Sequence, residues 1–392
     1  MPSLKSKLKQ AVVNPEPQHT TPLWQGPSGK GPQGGVTQGL IARWLQCPER
    51  ARLYLMEGWR PVEQFSHRME YGNYWHKCEE ALASGFALPG IALTDYAKLL
   101  CRKYPLQQEQ IIHWMNVCRV QFPCYVQYWA KHPDVENRIP LLAEQTFDVP
   151  YPLPSGRVSR LRGKWDSVDL VGKGKTAAIW LQENKTKGDI DEPQLKRQLS
   201  SGFQLQTMLY LVALANFEVP RGGSVMSQLR RNDTAGVRYN IVRRPLSGGR
   251  HSIKQKQGQT AEEFYTELGE RIAREPEFFF MRWNVGISAA DIARFRRECL
   301  DPVLESMYDD WEWWSWMEPR QSRRGNEHMN LYNDFARHRQ FPKHVHRHFR
   351  MPYIGYSNLL DGGEDGLDHL LNEGSKVGLE QVNNLFPELN SA

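Results

Sequence analysis

Between Leu142 and Asn216 the chain reads as strand, turn, strand, turn, strand, helix, and no other stretch limits the fold as tightly. The first strand candidate starts at Leu142 and ends before Pro154-Ser155-Gly156. The second alternates from Arg160 to Val171 and stops at the hairpin-type turn Gly172-Lys173-Gly174. The third runs from Thr176 to Lys185. A long helix is expected from Glu192 to Asn216, with Pro193 in its first turn. Gly223–Arg231 and Gly236–Arg244 are further strand candidates. This order predicts an α+β or α/β chain with a mixed central sheet over Leu142 to Arg244, flanked by helices.

The regions on either side read differently. Residues 1–38 are rich in Pro, Gly, Gln and Lys and form an expected tail. Residues 39–135 are helical: one helix over Gly39–Gly58, one over Phe65–Ser84, and a block over Thr94–His132 broken near Pro105 and Pro123. The sheet region is assigned to 136–285, with a helix at Ala261–Arg274 and a strand at Glu277–Trp283. Residues 286–392 begin with a helix from Ser288 to Trp311, continue through a basic, His-rich stretch and end in an acidic tail. Trp311, Trp313, Trp314 and Trp316 are read as helix packing.

Composition narrows the class. Forty per cent hydrophobic residues suffice for a large core. No apolar run reaches the ~18–20 residues of a membrane span, so no membrane partner is expected. The six cysteines lack any C-x-x-C pair, which favours reduced thiols and a cytoplasmic setting. A net charge of +6 leans towards a polyanion. The charge clusters. Arg230, Arg231, Arg243, Arg244 and Lys254 lie in one basic stretch, and Arg323, Arg324 and Arg347 in another, with few acids between them. Such stretches neutralise phosphates by counterion release, and these residues are the candidate DNA contacts. His344, His346 and His348 fit that basic surface better than a closed zinc site.

The chemistry-bearing residues fall in the sheet region. Glu183 and Lys185 stand two apart near the end of a strand and share a face. Asp166 lies on the preceding strand, within reach across a tight turn. Two carboxylates beside a lysine suit a hard divalent cation, and the Asn184 carbonyl offers another oxygen. Gln206 and Tyr210 are four apart on the following helix and share its face. Asp169, three residues from Asp166, is expected on the opposite face.

Read together, Gly163-x-x-Asp166, Glu183-x-Lys185 and Gln206-x-x-x-Tyr210 resemble the motif series of the RecB-like branch of the PD-(D/E)XK nucleases. Gly72 to His76 is similar to that branch's helical G-x-x-x-H motif. Trp44 to Pro48, with Arg50 and Tyr54, is similar to its opening motif. The order agrees from about Leu40 to Leu214. The resemblance implies a restriction-endonuclease-like core and metal-dependent hydrolysis of DNA phosphodiester bonds. It implies Asp166, Glu183, the Asn184 carbonyl and His76 at one or two Mg2+ or Mn2+ ions. Lys185 would orient or activate water, and Gln206 and Tyr210 would position the lysine or the phosphate.

Exonuclease action on linear single- or double-stranded DNA is the expected activity, in recombination, repair or phage DNA processing. The setting would be a bacterial or phage-infected cell, at the nucleoid. A recombinase, annealing protein or helicase is the expected protein partner; the chain has no phosphate-loop motif of its own, so any unwinding would need a partner or a single-stranded substrate. The alternatives are a structure-specific or restriction-type endonuclease and a non-catalytic DNA-binding assembly factor. Many members of that branch hold an iron–sulfur cluster with one early and three late cysteines. Cys47 matches the early position, but no cysteine follows Cys299, so no cluster is expected.

Overall fold

A computed structural model describes residues 23–29, 34–46, 48–61, 63–85, 89–131, 138–199, 204–217, 234–245, 253–316, 379–386 and 389. The chain divides into two compact units, one of residues 1–64, 148–163 and 296–392, the other of 65–147 and 164–295.

The first unit contains helices α1 (Gln38–Gln46) and α2 (Pro48–Glu57) and strand β1 (Trp59–Pro61). Strand β1 pairs antiparallel with the late strand β7 (Leu379–Gln381), and Arg60 Nε meets Glu380 Oε1 at 2.7 Å across them. Helix α11 (Asp301–Trp316) lies in the same unit and is tied to the 153–158 turn. The Tyr308 hydroxyl donates to the Val158 carbonyl at 2.7 Å, and Arg157 pairs with Glu305 and Asp309.

The second unit is built on a five-stranded sheet in the order β2-β3-β4-β5-β6: Arg138–Pro152, Val158–Val171, Ala178–Lys187, Thr234–Arg243 and Phe280–Gly286. Strands β2 and β3 contribute residues to both units. β3 and β4 are antiparallel, β4 and β5 parallel, β5 and β6 antiparallel. Gly172 permits the β3–β4 turn. Its φ is +100°, and a Cβ there would stand 2.6 Å from the Thr176 carbonyl oxygen. The parallel β4–β5 pair needs a crossover, which includes α6 (Glu192–Leu199) and α7 (Leu205–Ala215).

Helices cover the two faces of this sheet. Gln206 of α7 bonds Lys185, and Thr207 bonds the Tyr239 hydroxyl at 2.8 Å, so α7 lies over the face carrying Glu183, Lys185 and Tyr239. The other face meets a bundle of α3 (His67–Ala83), α4 (Pro89–Lys103), α5 (Gln108–Ala130) and α8 (Ala261–Arg274). There Tyr125 of α5 accepts from the Asn240 side chain at 2.7 Å. The bundle core includes Tyr71, Trp75, Cys78, Trp114, Phe122, Tyr125, Phe264 and Leu268. Burying each large apolar side chain contributes about 1.5–3 kcal/mol, which makes α3 a rigid support for what it displays.

The mixed sheet with flanking helices is the fold class read from the sequence. Details differ. The helical block breaks at Pro105 but passes through Pro123, which sits inside α5. Proline in a helix interior costs about 3 kcal/mol, and burial of its neighbours Phe122 and Tyr125 offsets this. The predicted 192–216 helix is two helices, with 200–203 outside the described residues. The strand expected from Glu277 starts with a helical turn, α9 (Pro276–Phe279), and becomes extended only at Phe280. Proline at a first helical position favours that turn. The predicted helix from Ser288 comprises α10 (Ala289–Phe295), a π turn (Arg296–Leu300) and α11. The strand candidate 223–231 lies outside the described residues.

Candidate active site

The β3–β4 ladder stops at Ser167↔Gln182. The next residue outward on β3 is Asp166, and on β4 it is Glu183. Here the strands part, and the Asn184 N–H donates to Asp166 Oδ2 at 2.7 Å instead of to a backbone carbonyl. A residue's N–H and C=O leave a strand on the same edge, so the Asn184 carbonyl lies on the Asp166 side of β4. Period-two alternation separates the side chains. Lys185 Nζ donates to Glu183 Oε2 at 2.7 Å and to Gln206 Oε1 at 2.9 Å. Asn184 Oδ1, on the other face, accepts from Asn240 at 2.8 Å.

Helix α3 brings His76 to the same gap. Trp75, its neighbour, is buried edge-on against Phe122 and Tyr125, which fixes the helix's rotation. His76 Nδ1 then lies 3.0 Å from Glu144 Oε1 and 3.7 Å from Asp166 Oδ1. Glu144 comes from β2 and was not among the residues singled out from sequence. Its φ is +49°, a left-handed conformation uncommon for a residue other than glycine, and its side chain is only 4% exposed. Lys164 pairs with its other oxygen. Such a backbone costs about 1–3 kcal/mol and persists only where the surrounding contacts, here His76 and Lys164, hold it.

The electrostatics follow from burial. Asp166 is pushed up to about 7, first by burial and then by the Glu183 charge, against the pull of His76, Lys185 and the Asn184 N–H. His76 is raised to about 9, because its hydrogen bond to Glu144 and the Asp166 and Glu144 charges outweigh burial. Glu144 is lowered, as His76 and Lys164 overcome burial. Lys185 is raised despite burial by Glu183 and Asp166, so it remains an ammonium. Burial pushes Tyr210 far up, and it stays a phenol. Its hydroxyl hydrogen-bonds Gln206 and the Lys164 backbone, while Trp165 Nε1 donates to its carbonyl at 3.2 Å.

The donor set fits a divalent cation. One ligand atom each from His76, Glu144 and Asp166 lie within 4.8 Å of one another. Glu183 is fully buried, and among the described residues its Oε1 has no hydrogen-bond partner. An orphaned carboxylate oxygen is costly unless something else coordinates it. Oxygen donors with one imidazole suit Mg2+ or Mn2+ better than a soft metal.

Two clefts flank this position. One of about 320 Å3 is lined by Arg68, Asn73, His76, Asn184, Lys185 and Thr186 among others. The second, about 210 Å3, is lined by Glu79, Arg138, Asp166, Ser167, Gln182 and Asn184 among others. Glu79 follows His76 by one helical turn and was also missed. Burial raises it, against Arg138, Tyr125 and Arg282.

The sequence-selected residues thus separate into two groups. His76, Asp166, Glu183, Asn184, Lys185, Gln206 and Tyr210 come together. Asp169 does not join them. It is buried, receives Arg138 Nε at 2.7 Å and bonds Ser167. Of the DNA-contact candidates, Arg243 is buried with its guanidinium 4.0 Å over Phe278 and paired to Asp189. Arg244 is also buried, and Lys254 is exposed. Arg230, Arg231, Arg323, Arg324 and Arg347 lie outside the described residues, as do Cys47 and the histidines 344, 346 and 348. Trp311 stacks edge-on with Tyr308, as expected of a packing residue.

The family model described as the PD-(D/E)XK nuclease superfamily matches residues 36–299, more than half of the chain. No curated protein sequence matches it.

Proposed function

Because the chain belongs to the PD-(D/E)XK nuclease superfamily, whose members are metal-dependent nucleases, we propose that it is a deoxyribonuclease of the RecB-like branch. In this reading it acts as an exonuclease on linear DNA, with Mg2+ or Mn2+, in recombination, repair or phage DNA processing. The observation that carries the reading is the meeting of Asp166, Glu183 and Lys185 where β3 and β4 part.

In this reading Asp166, Glu183, His76 and the Asn184 carbonyl would hold the cation, and Glu144 would join or orient them. The cation would supply Lewis acidity towards phosphate oxygen and water. Lys185, kept protonated by two carboxylates, cannot serve as a base. It donates a hydrogen bond and a positive charge, which stabilise the phosphorane as negative charge builds on it. Glu183 and Gln206 hold that ammonium in place from two sides. Tyr210, buried as a neutral phenol, steadies Gln206. No helix among the described residues is long and apolar enough to cross a membrane. The protein partner in this reading is a recombinase, an annealing protein or a helicase; since the chain lacks a phosphate loop, any unwinding would come from a partner or be avoided by a single-stranded substrate.

The test uses end-labelled linear and closed-circular DNA, single- and double-stranded, with Mg2+, Mn2+ or EDTA, and Lys185→Ala as the control. Metal-dependent loss of linear DNA only, absent in the variant, is the expected result. Nicked circles would make it an endonuclease. Equal cutting by Lys185→Ala would remove the lysine from the mechanism.

A further inference from the structure

The nuclease reading gives the Asn184 carbonyl to the cation, yet the β3–β4 ladder does not hold that carbonyl in place. It leaves β4 on the β3 edge, beyond Ser167↔Gln182, where the ladder has ended. On the β5 side Asn184 is tied by its side chain. In the parallel β4–β5 register it stands beside Asn240. Asn240 Nδ2 donates one hydrogen to Asn184 Oδ1 at 2.8 Å and its other to the Tyr125 hydroxyl at 2.7 Å. Asn240 is fully buried, and Asn184 and Tyr125 are nearly so.

Tyr125, on α5, carries the connection to helix α3. Its hydroxyl accepts from Asn240, with Arg282 Nη2 at 3.4 Å, and donates to the Glu79 carboxylate. Its ring stands edge-on to Trp75 at 5.0 Å and to Phe280 at 5.5 Å. Trp75 and Glu79 both belong to α3, one just before His76 and the other a turn beyond it. The direction of the chain is fixed, because an amide N–H can only donate and so leaves the phenol O–H for the carboxylate. Buried from water, satisfied polar chains of this kind admit few other arrangements. Packing does not account for the amide at 240. Its Oδ1 is buried with no partner among the described residues, and an apolar side chain of similar size would avoid that orphan.

We propose that Asn240 is a positioning residue of the cation site: through the Asn184 side chain, and with Tyr125 behind it, it fixes where the Asn184 carbonyl stands relative to His76. This rests on the nuclease reading and extends it to residues of β5 and α5 that contribute no ligand of their own.

The experiment measures Mn2+ binding to the full chain by calorimetry without DNA, beside the melting temperature in EDTA. Asn240→Leu releases the Asn184 amide, and Mn2+ affinity should fall about 10–100-fold, as for other lost partners of metal-ligating groups. Tyr125→Phe keeps the ring packing and removes only the hydroxyl, and affinity should fall about 2–10-fold. Adding Asn184→Val to Asn240→Leu removes the amide that has to be held and should recover most of the loss. Competition against Mn2+ should show Mg2+ losing more than Ca2+ in both single variants, because Mg2+ demands near-ideal octahedral geometry and Ca2+ tolerates irregular sites. Variants that melt lower but bind every cation like wild type would overturn the positioning role and leave the nuclease reading intact. A double variant that binds no better than Asn240→Leu would overturn the route through Asn184. Should Asn240→Leu not fold, unchanged affinities in Tyr125→Phe overturn the proposal and the expected loss supports it. A wild type that binds no Mn2+ would overturn both readings.

Discussion

Asparagine at position 166 isolates what the candidate metal site costs the fold. In the folded chain Asp166 titrates near 7 rather than at its ordinary 3.8, because it is buried beside Glu183. A raised folded-state value means that the native state holds the proton more tightly than the unfolded chain. The associated stability is fully present below 3.8 and is lost as pH rises through 7. About three pKa units at 1.36 kcal/mol each set a ceiling of about 4 kcal/mol. The side chain is only 12% exposed, so solvent screens little of this. Asparagine mimics the protonated acid and keeps an oxygen for the Asn184 N–H. Asp166→Asn should therefore stabilise the metal-free protein by about 2–4 kcal/mol at about pH 8. That corresponds to a melting temperature about 4–8 °C higher. At about pH 5, where the wild-type acid is protonated, most of the gain should vanish. The assay is thermal melting in EDTA at both pH values, repeated with saturating Mn2+. Metal should stabilise the wild type and not the variant, and the variant should not cut DNA. A variant that melts at or below wild type at the higher pH would refute the argument. So would a gain of the same size at both pH values, which would point to packing rather than charge.

Other outcomes follow from the same site. Glu144→Gln keeps the shape but weakens the hold on His76, and Mn2+ affinity measured by calorimetry should fall about 10–100-fold, as for lost partners of ligating histidines. Unchanged affinity would make Glu144 a purely structural residue. Cation binding must displace protons from Asp166 and His76, which titrate near 7 and 9. Mn2+ affinity should drop at least about tenfold per pH unit below about pH 7, with one or two protons released on binding. Flat affinity between about pH 6 and pH 8, or heats that do not depend on buffer ionisation, would contradict that.

Much of the site was legible because it rests on short periodicities. Strand alternation puts Glu183 and Lys185 together, and helical spacing puts Gln206 and Tyr210 over them; these relations need no knowledge of the rest of the chain. Asp166 follows from a tight turn that makes two strands adjacent. Glu144 was not legible. Its contact with His76 joins α3 to β2 across 68 residues, and its left-handed backbone breaks the alternation by which an inward strand residue is recognised. Glu79 could have been found, since it stands one helical turn beyond His76. Arg243 is a different case. In sequence it is one of several basic residues, and only the fold places Phe278 beneath its guanidinium and Asp189 beside it. Helix α5 passes through Pro123 for a related reason: tertiary burial outweighs a local propensity that sequence reasoning must take at face value.

The end of β4 concentrates features a fold alone would avoid. Glu183 Oε1, both polar atoms of the Gln182 amide and Glu79 Oε1 are buried with no hydrogen-bond partner among the described residues. Each such group costs about 1–3 kcal/mol, and here several lie within one turn of helix and two residues of strand. Packing does not explain this cluster. With Lys185 beside it, the cluster has a common logic: carboxylates at 166 and 183 attract a cation, and the ammonium at 185, held by Glu183 and Gln206, attracts an anion. A metal-bound phosphate satisfies both. Lys185→Gln should therefore weaken DNA binding while sparing metal binding, and the reverse should hold for Asp166→Asn. If both substitutions weakened both ligands alike, the strand end would be acting as one general electrostatic patch.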